Sequence, residues 1–223
     1  MSNFQLPITL PPLESLEWLQ GSSPNDGSYD FTHEIRLLLL VQSNCPGCHM
    51  DAIPLANTLV ESKQNFDVYC IFTAFEDFQY NTKVSAELLL SEGKHVGVTK
   101  QRLGESATHV PKMPVAFDNV IRKQDATQEI LNMAFESTKY ITYEQSKHMS
   151  PAANITLGMI ERQLEKMGGV DVVLPEYIAE VFYAVRAQGT PTWVIHNANR
   201  EVLDVKFGQQ TEASILEWMN EYT

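Results

Sequence analysis

The chain has 223 residues, with 16 Lys and Arg against 28 Asp and Glu, a formal charge of −12 that argues against nucleic acid or an anionic membrane surface as partner. This length suits one sizeable core, or a compact domain carrying an insertion, and is short for two domains and a linker. No apolar stretch approaches the roughly 20 residues of a membrane span, and residues 1–19 lack a basic start followed by an apolar block, so the expected compartment is the cytoplasm.

Residues 1–30 carry Pro7, Pro11, Pro12, Pro24, Gly21 and Gly27 and read as an extended arm with a short helical turn near residues 13–19. The first strand is expected over residues 36–42, where Leu37, Leu38, Leu39, Leu40 and Val41 form an unbroken apolar run. It ends at Cys45, Pro46, Gly47 and Cys48. Ala52, Ile53, Ala56, Leu59 and Val60 then recur with helical spacing up to Ser62, with a bend expected at Pro54, which lacks a backbone donor. Residues 67–73 supply a second strand, parallel to the first across a right-handed crossover. Cys70 lies in it and reads as a small buried hydrophobe.

Thr82 is a candidate N-cap for a helix over 84–90 and Gly93 its stop, so residues 74–110 read as a helical excursion. A short strand is expected over 114–118. From 126 to 187 the pattern is helical almost throughout. Ala126, Ile130 and Ala134 mark one segment, and Ala153, Leu157, Ile160, Leu164 and Met167 a second, with Ser150 as cap, Pro151 in its first turn, and Gly168 and Gly169 after its end. Pro175 opens a third, whose Ile178, Val181, Phe182 and Val185 share an apolar face. Residues 192–196 and 201–207 read as a hairpin turning at 197–200, and Thr211 caps a last helix that buries Ile215, Trp218, Met219 and Tyr222.

Three cysteines are too few, and odd in number, for a disulfide-stapled secreted scaffold; one close pair and a spare fit a catalytic dithiol better. Two cysteines separated by two residues at a helix start can close a small disulfide, and the free N–H groups there favour the thiolate of the first. Cys45 is therefore the expected nucleophile and Cys48, one turn inside, the resolving thiol. Pro46 suits a first helical turn, and Gly47 leaves the loop free of bulk so that a substrate sulfur can approach. A purely structural staple is disfavoured, since so short a loop gains little entropy on closure. Asp51 has two readings, a proton relay to Cys48 or a solvated carboxylate near a helix N-terminus.

Residues 45–49 also spell C-x-x-C-H, the pattern of covalent haem attachment with His49 as axial ligand. A zinc site would need two further ligands, and His33, His95, His109, His148 and His196 are scattered without ligand spacing. The P-x-x-x-T-x-x-C pattern of peroxiredoxins is absent, Gln42 standing where its threonine would be.

The order strand, C-x-x-C, helix, strand, excursion, helix, Thr-Pro, hairpin, helix resembles the thioredoxin fold. In particular it resembles the TlpA-like and ResA-like branch of thiol-disulfide oxidoreductases. Cys45 to Cys48, Asp51 three residues on, Pro54, and the stretches 113–118 and 189–195 carry the resemblance. It implies an α/β fold with a central mixed sheet flanked by helices, residues 1–223 forming a single thioredoxin-like domain. Residues 120–187 exceed what that core needs and are expected to be an inserted helical subdomain. It further implies a cis bond between Thr190 and Pro191, opposite the dithiol, with the backbone of Thr190 holding an extended substrate. The implied activity is disulfide exchange with protein or small-molecule thiols, without a cofactor or metal, the dithiol being recharged by a redox partner. The alternative is a non-catalytic or chaperone-like thioredoxin-fold protein that binds a partner through the insertion.

Overall fold

A computed structural model describes residues 8–21, 31–149 and 154–223. The expectations for the arm at Pro7, Pro24 and Gly27, and for a helix start at Ser150, Pro151 and Ala153, lie outside the described residues. Six strands make the central sheet: β1 (Glu17–Gln20), β2 (Ile35–Val41), β3 (Asp67–Phe72), β4 (Val115–Phe117), β7 (Thr192–Asn197) and β8 (Val202–Phe207). Their order across the sheet is β1-β4-β3-β2-β7-β8, while β5 (Val120–Arg122) and β6 (Tyr177–Ala179) form a separate pair. β2, β3 and β4 run parallel, and β1, β7 and β8 antiparallel to their neighbours, so the sheet is mixed.

The apolar run of β2 follows from its central position. Alternate side chains of a strand point to opposite faces. Leu37, Leu39 and Val41 pack on one face with Ile53, Ala56, Ile215 and Trp218. Leu38 and Leu40 pack on the other with Leu10, Leu13, Ile178, Val181 and Phe182. Helices α1 (Ile53–Glu61) and α8 (Glu212–Met219) supply the first layer, and α8 is capped by Thr211 Oγ1, which accepts from Ser214 N at 3.2 Å. α2 (Lys83–Glu92) and α3 (Gly97–Leu103) form the excursion after β3. Thr82 caps α2, its Oγ1 accepting from Ser85 N at 3.1 Å, and Gly93 ends it with φ +61°.

Between β4 and β7 stand β5, α4 (Gln128–Met149), α5 (Leu157–Lys166), α6 (Gly169–Val173), β6 and α7 (Glu180–Ala184). α5 is capped by Thr156, whose Oγ1 accepts from Met159 N at 3.3 Å. Two short strands here depart from the helical reading of the sequence. Ile178 sits opposite Ile121 in the β5–β6 pair, where β-branched and aromatic residues find a partner strand that periodicity alone does not reveal. Near the N-terminus the helical turn is confined to Leu13–Ser15, after which Glu17–Gln20 extend along β4. Asp118, just past β4, joins α7 to the sheet. Its buried carboxylate accepts from Thr73 Oγ1 at 2.7 Å, Val181 N at 2.8 Å and Phe182 N at 3.2 Å.

Among the described residues no helix is long and apolar enough to cross a membrane.

Candidate functional site

β2 delivers the chain to its C-terminal edge at Val41, and the next seven residues build the site. Gln42 is buried and spans two loops: its Oε1 accepts from Thr190 Oγ1 at 3.2 Å and its Nε2 donates to the carbonyl of Glu76 at 3.4 Å. Asn44 fixes the approach to the first cysteine. Its backbone N–H donates to Asn81 Oδ1 and its Nδ2 to Asp77 Oδ2, each at 2.8 Å, while its Oδ1 accepts from Val98 N at 2.6 Å. Gly97 has φ +53° at this contact, and a Cβ there would collide with the Asn44 amide. The excursion after β3 is thus latched to the residue before Cys45.

Cys45 and Cys48 form a disulfide with Cα atoms 5.3 Å apart, a separation usual for such bonds. Helical geometry begins at Pro46, whose fixed φ suits a first turn, and Gly47 continues it at φ −64°. Cys45 is half-buried whereas Cys48 has no exposure. The N–H of Cys48 points to Cys45 Sγ at 3.2 Å, the arrangement that favours negative charge on the outer sulfur once the bond is reduced. The helix then widens through a π-turn at Cys48–Ala52, closed by Ile53 N bonding to Cys48 O. Pro54 accounts for this. It cannot donate to the carbonyl four residues back and its ring crowds that oxygen, so the turn before it opens.

Across the site Thr190 and Pro191 are joined by a cis peptide, and the Thr190 carbonyl oxygen lies 3.6 Å from Cys45 Sγ. Pro191 is buried at the mouth of β7, its own carbonyl accepting from Gly208 N at 2.8 Å. Gly189 lies under the exposed ring of Phe207, with no room for a Cβ. Asp51 is half-buried on the π-turn and accepts at Oδ2 from Gln209 Nε2 at 2.5 Å. The same amide lies over Gly47.

The fold therefore gathers Cys45, Pro46, Gly47, Cys48 and Thr190 at one place, with Pro191 buried next along the chain from Thr190 and Asp51 one turn away. Cys70 is elsewhere, in mid-β3, where burial pushes its thiol far up. Gln42, Asn44 and Gln209 escaped the sequence reading. A single polar residue at the end of an apolar strand was the sole local mark of Gln42, and nothing near Asn44 announces its partner 54 residues on. The sequence marks His49 only through the C-x-x-C-H spelling. It is buried, its Nε2 hydrogen-bonded at 3.1 Å to the carbonyl oxygen of Ser43, and its ring stands edge-on to buried His95 at 4.9 Å between centroids. Among the described residues no cluster of three His, Cys, Asp or Glu side chains is placed to hold a metal.

A mixed sheet with a helix-opening C-x-x-C disulfide at the end of a central parallel strand, faced by a proline loop, defines a thioredoxin-like fold. Comparison with solved structures agrees on the fold. The chain is similar to a thiol-disulfide isomerase from Corynebacterium glutamicum, with 16% identity, 96% of this chain and 95% of that chain covered, and a TM-score of 0.51. It also aligns with a thioredoxin-like superfamily protein at 16% identity over 96% and 95% of the two chains, with a TM-score of 0.49. No family model matches the chain. No curated protein matches it either.

Proposed function

We propose that the protein is a thiol-disulfide oxidoreductase whose working group is the Cys45–Cys48 pair. The observation that carries this reading is the half-buried Cys45 at a helix start, its sulfur 3.6 Å from the Thr190 carbonyl, with Cys48 fully buried one turn on. In the reducing direction the Cys45 thiolate attacks a substrate disulfide, forming a Cys45–substrate bond and expelling one substrate thiolate. Cys48 then loses its proton and attacks Cys45 Sγ; the Cys45–Cys48 bond forms, the mixed disulfide breaks, and the second substrate thiolate leaves. Two electrons pass from the dithiol to the substrate, whose two thiolates take up protons. The oxidising direction is the reverse, and a separate redox partner restores the starting state.

The other site residues have roles within this scheme. Pro46 and Gly47 leave the outer sulfur uncovered, and the Thr190–Pro191 loop holds the backbone of an extended substrate chain. Asp51, whose carboxylate is in reach of both solvent and the π-turn, passes the Cys48 proton to and from water. Residues 120–187 are an insertion within a single domain. Cys48→Ser is expected to accumulate mixed disulfides with substrate proteins, separable on non-reducing gels, and Cys45→Ser to form few. Equal trapping by both variants would overturn the division of roles.

A further inference from the structure

Flanking the dithiol in the chain is a buried polar corner that this scheme does not use. Three side-chain atoms there are buried and have no hydrogen-bond partner: Ser43 Oγ, His49 Nδ1 and Thr99 Oγ1. Hydrogen bonds tie the chain segments that carry them together. The His49 ring is bonded to the Ser43 carbonyl, and the Asn44–Val98 hydrogen bond joins the residue after Ser43 to the residue before Thr99. His95, just before α3, closes the corner against the His49 ring. Its Nδ1 is spoken for, 3.0 Å from the Gly104 carbonyl oxygen.

Unpartnered polar atoms in a folded interior are uncommon, and three of them on segments that adjoin or are tied to a reacting dithiol call for a reason. The chemistry of His49 supplies one. A carbonyl oxygen only accepts, so Nε2 carries the ring proton and Nδ1 presents a buried lone pair. His49 follows Cys48 directly in the π-turn. Cys48 has no exposure, so near neutral pH its proton does not pass straight to bulk water, whereas Asp51 stands on the outer side of the same turn.

We propose that His49, assisted by the hydroxyls of Ser43 and Thr99, is the first acceptor of the Cys48 proton when the mixed disulfide resolves. The inference rests on the dithiol reading above and deepens it. As Cys48 attacks Cys45 Sγ, its S–H bond breaks and the proton moves to Nδ1, directly or through a water held by the two hydroxyls. His49 becomes an imidazolium that keeps its Nε2–H bond to Ser43, and then returns the proton outward by way of Asp51. In the disulfide state the imidazole is held neutral, at about 4, chiefly by burial and then by His95, against the backbone carbonyls of Ser43 and Gln42. Among the described residues His95 is the titratable group whose charge bears on the ring, and Asp51 shares its turn. A thiolate on the preceding residue stabilises the imidazolium, so the acceptor strengthens only while Cys48 is losing its proton.

The test uses the reduced protein and a chromogenic aromatic disulfide. Attack by Cys45 releases one coloured thiolate and resolution by Cys48 a second. The expected result for His49→Gln, which retains a donor to the Ser43 carbonyl but has no basic nitrogen, is a second release slowed about ten-fold or more relative to the first at pH 7. The gap should close near pH 10, where solvent deprotonates the thiol. Thr99→Val should slow the second release in the same sense. A second release in His49→Gln that keeps pace with the unaltered protein at pH 7, or is slowed by one factor at every pH, would overturn the proposal. Should His49→Gln not fold, the His49 ring resonances of the unaltered protein decide: they should titrate at higher pH in the reduced state than in the disulfide state, and coincident curves would overturn it. Failure of the dithiol reading looks different, because the first release from the unaltered protein would then be no faster than that from a free cysteine.

Discussion

The sulfur of Cys45 and the carbonyl oxygen of Thr190 lie 3.6 Å apart across 145 residues of chain. Nothing local to either loop produces this approach. It follows from the antiparallel pairing of β2 with β7, which sets Leu40 opposite Thr192 and so brings the loops beyond both strand ends to one edge of the sheet.

Because Cys45 is half-exposed and Cys48 enclosed, alkylation of the reduced protein should modify Cys45 first. Its apparent pKa should fall below the ~8.5 of a free cysteine. Mass spectrometry after short pulses of iodoacetamide over a range of pH measures both; equal or faster labelling of Cys48 would refute the assignment of the nucleophile.

Gly97 faces the Asn44 amide at φ +53°. Gly97→Ala should therefore cost about 1–3 kcal/mol, through backbone strain and displacement of Asn44. Asn44→Ala removes the same latch without backbone strain and should destabilise less. Urea titrations of the two variants rank them, and a neutral Gly97→Ala would show that the excursion moves aside freely.

Asp51→Asn keeps the shape of the side chain but cannot take a proton. Resolution of a preformed Cys45 mixed disulfide should slow several-fold near pH 7 with little change in initial attack, which needs no proton from Cys48. Stopped-flow measurement of the two phases separates them, and an unchanged second phase would remove Asp51 from the relay.

Two buried histidines make stability sensitive to acid. His49 and His196 are each held at about 4, chiefly by burial, against 6.5 for the free side chain. Each takes up a proton more readily unfolded than folded, so its contribution is complete above about pH 6.5 and is lost as pH falls toward 4. That amounts to roughly 2 kcal/mol per histidine between pH 6.5 and 5. Asp118 acts in the opposite sense: burial pushes it up to about 7 from 3.8, so its contribution is complete below about pH 3.8 and is lost as pH rises through 7. Denaturation at pH 7 and pH 5 should show a net acid loss, smaller in His196→Gln and larger in Asp118→Asn. The reverse order would contradict these environments.

The parts of the molecule legible in the sequence are those fixed by short-range pattern. The run Leu37 to Val41, the C-x-x-C and the caps Thr82 and Thr211 each declare an element within a few residues. β1 escaped because Glu17, Trp18, Leu19 and Gln20 alternate too weakly to reveal a strand, and only β4 beside them makes them one. β5 and β6 escaped for the same reason, three residues being too short to carry a period. At the site, the two cysteines and the Thr-Pro were visible as chemistry. The burial of His49 and the struts at Gln42 and Asn44 were not, since each depends on a partner brought from a distant loop.

The strand that carries the dithiol is bonded along both edges, to β3 and β7, and covered on both faces. Its amide hydrogens should be among the last in the chain to exchange with deuterium, at a rate governed by global opening rather than local fraying. The reactive loop is thus mounted on ground that does not give way. Each cycle of making and breaking the Cys45–Cys48 bond can be confined to the turn above β2, and the protein can change covalent state without changing shape beneath it.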